Sequence, residues 1–110
     1  MESDRYLDVE QLARALREFA RIRNWEPLHS PKNLASALIV EAAELLEHFQ
    51  WLEPKDSLHL DPATKQAVAY EMADVFIYLT RMADRLDIDL LAVAKEKMAL
   101  NARKYPPPEV

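Results

Sequence analysis

Residues 30–52 read SPKNLASALIVEAAELLEHFQWL, and residues 61–86 read DPATKQAVAYEMADVFIYLTRMADRL. Both stretches open on a residue that can cap a helix, Ser30 or Asp61, followed at once by a proline, whose fixed φ and missing N–H suit the first helical turn. Both then carry apolar residues at three- and four-residue spacing: Leu34, Leu38, Leu45 and Phe49 in the first, Val68, Met72, Val75, Leu79 and Met82 in the second. That period is helical. The pair predicts two long helices, from Pro31 to about Leu52 and from Pro62 to about Leu86.

The same grammar continues on either side. Asp8, with Gln11 three residues on, is a capping-box pattern that opens a helix from Val9 to Arg23, with Leu12, Leu16, Phe19 and Ile22 as its stripe. Asn24 ends it as a left-handed residue, a place usually taken by glycine. Asp89 caps a fourth helix that runs to about Lys104 on a stripe of Leu90, Val93, Ala94 and Met98. Every proline (Pro27, Pro31, Pro54, Pro62, Pro106, Pro107, Pro108) falls between or after the apolar-periodic runs, Pro31 and Pro62 at the first position of a helix. Four helices with short joints predict an all-α fold, an antiparallel four-helix bundle. One domain is expected over residues 1–105, with an irregular Pro-rich tail over 106–110.

The 110 residues include no glycine and no cysteine, where average usage would place about seven or eight glycines. Phosphate-cradling loops need glycine for positive φ and close backbone approach, so any nucleotide chemistry here must come from side chains. The absence of cysteine removes disulfides, thiolate metal sites and a cysteine nucleophile. Residues 1–20 carry charges throughout and lack the apolar core of an export signal. The longest uncharged apolar run, Leu34 to Val40, is far short of the roughly 20 residues a membrane helix needs. These features predict a cytoplasmic protein with no membrane partner. A net charge of −5 argues against a nucleic-acid partner.

At about 100° per residue, Glu41 falls almost inside the stripe of the second helix, and Glu44 lies on the same flank. On the third helix Glu71, Asp74 and Tyr78 share the stripe's edge. If these helices pack together, four carboxylates converge beside a hydrophobic core, a costly arrangement unless a cation neutralises them. Oxygen ligands favour Mg²⁺, with Mn²⁺ as a substitute, over zinc. On the fourth helix Lys97, Asn101 and Lys104 share a face, and cations with an amide suit phosphate oxygens. The loop from Asn24 to His29 holds Trp25 and His29, and Trp51 and Tyr78 flank the acids; aromatics of this kind can sandwich a base. A plainer reading, a non-catalytic helical interaction module with solvated acids, stands as the alternative to a metal site. A ferritin-like di-metal bundle would require Glu-x-x-His on two helices, and the second and third helices carry none.

Glu41-x-x-Glu44 and, after a 26-residue interval, Glu71-x-x-Asp74 resemble the signature of the MazG-like all-α nucleoside triphosphate pyrophosphohydrolases, most of all the small dCTP pyrophosphatase branch. The likeness covers nearly the whole chain. It includes R-x-W-E-x-x-H from Arg23 to His29, Pro31 and Asn33 opening the second helix, and E-x-x-E-L-x-E-x-F-Q-W from Glu41 to Trp51. It continues through E-x-x-D-V-x-I-Y-L from Glu71 to Leu79 and K-M-x-x-N-x-R-K-Y-P from Lys97 to Pro106. The resemblance implies that Glu41, Glu44, Glu71 and Asp74 hold Mg²⁺ on a nucleoside triphosphate substrate, and that Lys97, Asn101 and Lys104 hold its phosphates. It also implies that Trp25, His29, Trp51 and Tyr78 line the base pocket, with Glu47 placed to orient or deprotonate a water that attacks the α-phosphorus. Products would be a nucleoside monophosphate and pyrophosphate, and the assembly a homodimer or homotetramer. The chain departs from the family's pattern at Val40, where many members double the first glutamate, and at His48, where an apolar residue is usual beside Phe49.

Overall fold

The computed structural model describes residues 8–109; residues 1–7 of the expected domain and Val110 of the expected tail lie outside that range. Four α-helices follow in order, α1 Val9–Ile22, α2 Pro31–Glu47, α3 Pro62–Arg85 and α4 Leu90–Lys104, with 3₁₀ turns at Glu26–Leu28 and Asp56–Leu58. No strand occurs among the described residues. The all-α fold is the one the sequence dictates.

Each helix starts where a side chain can satisfy its first free N–H groups. Asp8 accepts from the Gln11 N–H at 2.7 Å, Ser30 from Asn33 at 3.1 Å, Asp61 from Thr64 at 2.8 Å and Asp89 from Ala92 at 3.1 Å. Asn24 (φ 58°) and Asp87 (φ 55°) take the left-handed conformation after α1 and α3. In a chain without glycine, short polar side chains are the next best occupants of that region.

α3 lies against both α1 and α2 and runs antiparallel to each. Glu41 in α2 meets Glu71, while His29, just before α2, meets Arg81 and Arg85 near the far end of α3. The start of α1, from Val9 to Arg17, lies by the end of α3, where Arg17 reaches Asp84, and its later residues, Phe19 and Ala20, lie nearer Asp74 and Tyr78. Among the described residues Ala20, Leu34, Val68 and Ala83 are the buried apolar ones, and Thr80 and Arg81 are buried as well. Small residues at 20, 80 and 83 let α1 and α3 approach closely.

α2 stops at Glu47, five residues before the expected end. The His48 and Phe49 N–H groups bond three residues back, to Leu45 and Leu46, so the last turn tightens and opens into a turn through Trp51. Pro54, which cannot donate, bars the helix from continuing past this point. Of the expected stripes, Leu34 and Val68 are buried, but Met72 and Leu79 are exposed. α4 is exposed from Leu91 to Lys104, Met98 at 73%, so among the described residues most of its apolar stripe lacks a cover. The surface of 9144 Å² far exceeds the ~6,200 Å² expected of a compact monomer of this mass.

Candidate active site

Glu41, Glu44 and Glu71 are brought together across the α2–α3 seam, each offering a carboxylate oxygen, all within 4.8 Å of one another. Oε2 of Glu71 is buried without a hydrogen-bond partner. Glu41 is pushed up to about 7, first because it shares a hydrogen bond with Glu71, then by loss of solvent and by Glu44 and Asp74. Acids this close hold a proton for want of another positive charge. A hard divalent cation fits the donor set, which is entirely carboxylate oxygen.

Asp74, one turn beyond Glu71, stands outside the tight group of three, but Glu41 feels its charge. It also lines a cavity of about 230 Å³ with Leu16, Phe19, Trp25, Tyr78 and Arg81, among others. Trp25 stands edge-on to Phe19 at 5.7 Å and tilted against the His29 ring at 6.0 Å. His29 lines the cavity too, so three of the four expected base-contacting residues meet there. Trp51 does not: it follows the early end of α2 and is 89% exposed. A larger hollow of about 620 Å³, between α1 and the start of α4, contains none of the site residues expected from sequence.

The loop that carries Trp25 and His29 is held from both sides. Trp25 N–H bonds the Ala20 carbonyl at 2.9 Å, and Asn33 Nδ2 bonds the Leu28 carbonyl at 3.0 Å. Arg85 Nε donates to the His29 carbonyl at 3.2 Å. Arg81, only 3% exposed, donates from Nε to His29 Nδ1 at 3.2 Å and from Nη1 to Asp84 at 3.0 Å; its Nη2 is buried without a partner. Arg17 grips the same Asp84 with two bonds of 2.6 and 3.0 Å. This clamp holds Asp84 below the usual carboxylate range, while burial, then Arg81 and Arg85, push His29 down.

Arg81, with Asp84 and Arg17 behind it, escaped the sequence reading. The signal was there: Asp74, Tyr78 and Arg81 are spaced i, i+4 and i+7 and share one helical face. Lys97, Asn101 and Lys104 lie on exposed α4, and among the described residues no hydrogen bond or ion pair joins their side chains to the acids. Lys104 Nζ instead sits 5.3 Å from the Tyr105 ring. Glu47, the last residue of α2, is exposed, one turn past Glu44.

Residues 37–109, which include all four acids of the two motifs, match the model of the MazG-like family. The chain belongs to the MazG-like family. Among relatives of this MazG-like chain, human dCTP pyrophosphatase 1 is 41% identical over 101 residues, covering 89% of this chain, and the bovine protein of that name is 39% identical over 100. The chain spans 59% of the length of these relatives. A solved pyrophosphatase from Archaeoglobus fulgidus superposes with a TM-score of 0.85 at 40% identity, over 94% of this chain and 96% of that one. No helix among the described residues of this MazG-like chain is long and apolar enough to cross a membrane.

Proposed function

We propose that the chain hydrolyses nucleoside triphosphates between the α and β phosphates, with a deoxycytidine-type pyrimidine preferred, and so cleanses the cytoplasmic nucleotide pool. The observation that carries this reading is the junction at Asp74, which both neighbours the three clustered glutamates and lines the aromatic cavity. A nucleotide has that same layout, an anionic chain joined to a flat aromatic ring. The names of the relatives, dCTP pyrophosphatase 1 and pyrophosphatase, support the choice of bond and base.

Glu41, Glu44, Glu71 and Asp74 would hold Mg²⁺, with Mn²⁺ as a substitute. The ion supplies positive charge against the negative charge that develops on the phosphates. Trp25, His29 and Tyr78 would receive the base. Lys97, Asn101 and Lys104 would hold phosphate oxygens, and Glu47 would orient a water and take its proton as that oxygen bonds to the α-phosphorus and pyrophosphate leaves. Since α4 stands uncovered, these last groups would complete the site in a homodimer or homotetramer, where apolar residues such as Met72, Leu91 and Met98 find cover. Trp51 would reach a pocket in the same way.

A panel of triphosphates assayed with and without Mg²⁺ tests the proposal. Pyrophosphate as product, strict metal dependence and preference for a cytosine base are expected. Orthophosphate release, or turnover in chelator, would sink it.

A further inference from the structure

The bond between Arg81 and His29 has a direction that chemistry fixes. A guanidinium has five N–H donors and no acceptor, so at 3.2 Å from Arg81 Nε the Nδ1 of His29 must present its lone pair. An imidazolium has no such lone pair, and the other neutral tautomer would set two N–H groups against each other. The proton therefore resides on Nε2. Arg81 is held at Nη1 by Asp84, Asp84 is held twice by Arg17, the His29 backbone is tied to Arg85, and the His29 ring lies tilted against Trp25 at 6.0 Å. Both His29 and Arg81 line the 230 Å³ cavity with Trp25 and Tyr78.

We propose that Arg81 is a positioning residue that fixes His29 as an Nε2–H donor in this cavity, so that the base atom seated against His29 is a hydrogen-bond acceptor, a ring keto oxygen or an unprotonated ring nitrogen. This rests on the cavity's being the base pocket of the proposed reaction. An amino group or ring N–H placed there would face a donor and leave both unpaired, a mismatch that discriminates strongly in a desolvated site. Cytosine, with O2 and N3 as adjacent acceptors, satisfies the demand along one edge. Arg81 touches no substrate atom in this account and acts only through the imidazole.

Long-range ¹H–¹⁵N NMR of the labelled full chain reads the tautomer directly, with His29 assigned by the signals lost in His29→Gln. The expected result near neutral pH is an unprotonated Nδ1 and a protonated Nε2. In Arg81→Met the tautomers mix, and KM for dCTP rises about tenfold while kcat stays within about twofold. Arg81→Lys, whose ammonium can still donate to Nδ1, restores both signatures toward the starting values. A protonated Nδ1 in the unsubstituted chain overturns the inference, as does an Arg81→Met protein with an unchanged tautomer, or one that loses kcat at constant KM. If Arg81→Met does not fold, the unsubstituted chain and Arg81→Lys decide by the same signals. A chain that releases no pyrophosphate from any triphosphate overturns the reaction and the base contact with it. An active chain with the wrong tautomer overturns this inference alone.

Discussion

Glu41 couples the candidate site to pH. Its ordinary value is 4.5 and it is pushed up to about 7, so between those limits the folded chain keeps a proton that the unfolded chain has released. Stability therefore falls as pH rises through that window in the metal-free protein, and it is fully recovered below it. Thermal melts in chelator should show Tm decreasing from the lower to the upper end of the window. A bound cation needs the ionised carboxylate, so metal binding should release a proton and tighten as pH rises through about 7. Calorimetry in two buffers of different ionisation enthalpy measures that release. Glu71→Gln removes a like charge beside Glu41. It should leave metal-free stability unchanged or improved, while turnover falls at least about a hundredfold and the stabilisation by Mg²⁺ disappears.

At the scale of elements, the caps are the cheapest features to test and were the most legible. Ser30→Ala should cost about 1 kcal/mol, read as a lower midpoint in urea with an unchanged slope. Caps are written locally: Ser30, Asp61 and Asp89 each bond a backbone group three residues on, so spacing alone reveals them. The acidic pairs were legible for the same reason, because i, i+3 positions on one helix share a flank whatever the helix packs against. The Arg17–Asp84 contact joins residues 67 positions apart, and the burial of Arg81 depends on α1, the 24–29 loop and α3 meeting at one point. No window of sequence contains that information. The early end of α2 lies between these cases: Pro54 marks a limit, but the turn that releases Trp51 is set by the backbone bonds of His48 and Phe49.

For the whole molecule, the uncovered stripe on α4 decides what should be measured. Apolar residues of that exposure on an ordered helix suit burial against the second copy of the chain proposed above. Sedimentation at micromolar concentration should show a dimer or tetramer, and Tm should rise with protein concentration. Met98→Asp should shift the chain toward monomer and abolish turnover while far-UV circular dichroism stays the same, since Met98 is 73% exposed within one chain. The four-helix count was legible because helix periodicity belongs to each segment. Whether α4 packs on its own chain or another was not, because an apolar stripe reads identically in both cases.

Along α3 the sign of charge reverses within seven residues, about 10 Å of helix: Asp74 and Arg81 both line the aromatic cavity, and Arg81 is paired with Asp84. The cavity therefore lies in the field between a carboxylate and a guanidinium that Asp84 partly neutralises. A molecule with a strong dipole that enters is turned as well as held, its electron-rich edge toward Arg81 and its cation-bearing end toward Asp74. A carbonyl or nitrile reporter placed in the cavity would register that field as a vibrational shift, reduced when Arg81 is replaced by methionine. Binding in the reverse sense is opposed by the helix itself, before any single contact has formed.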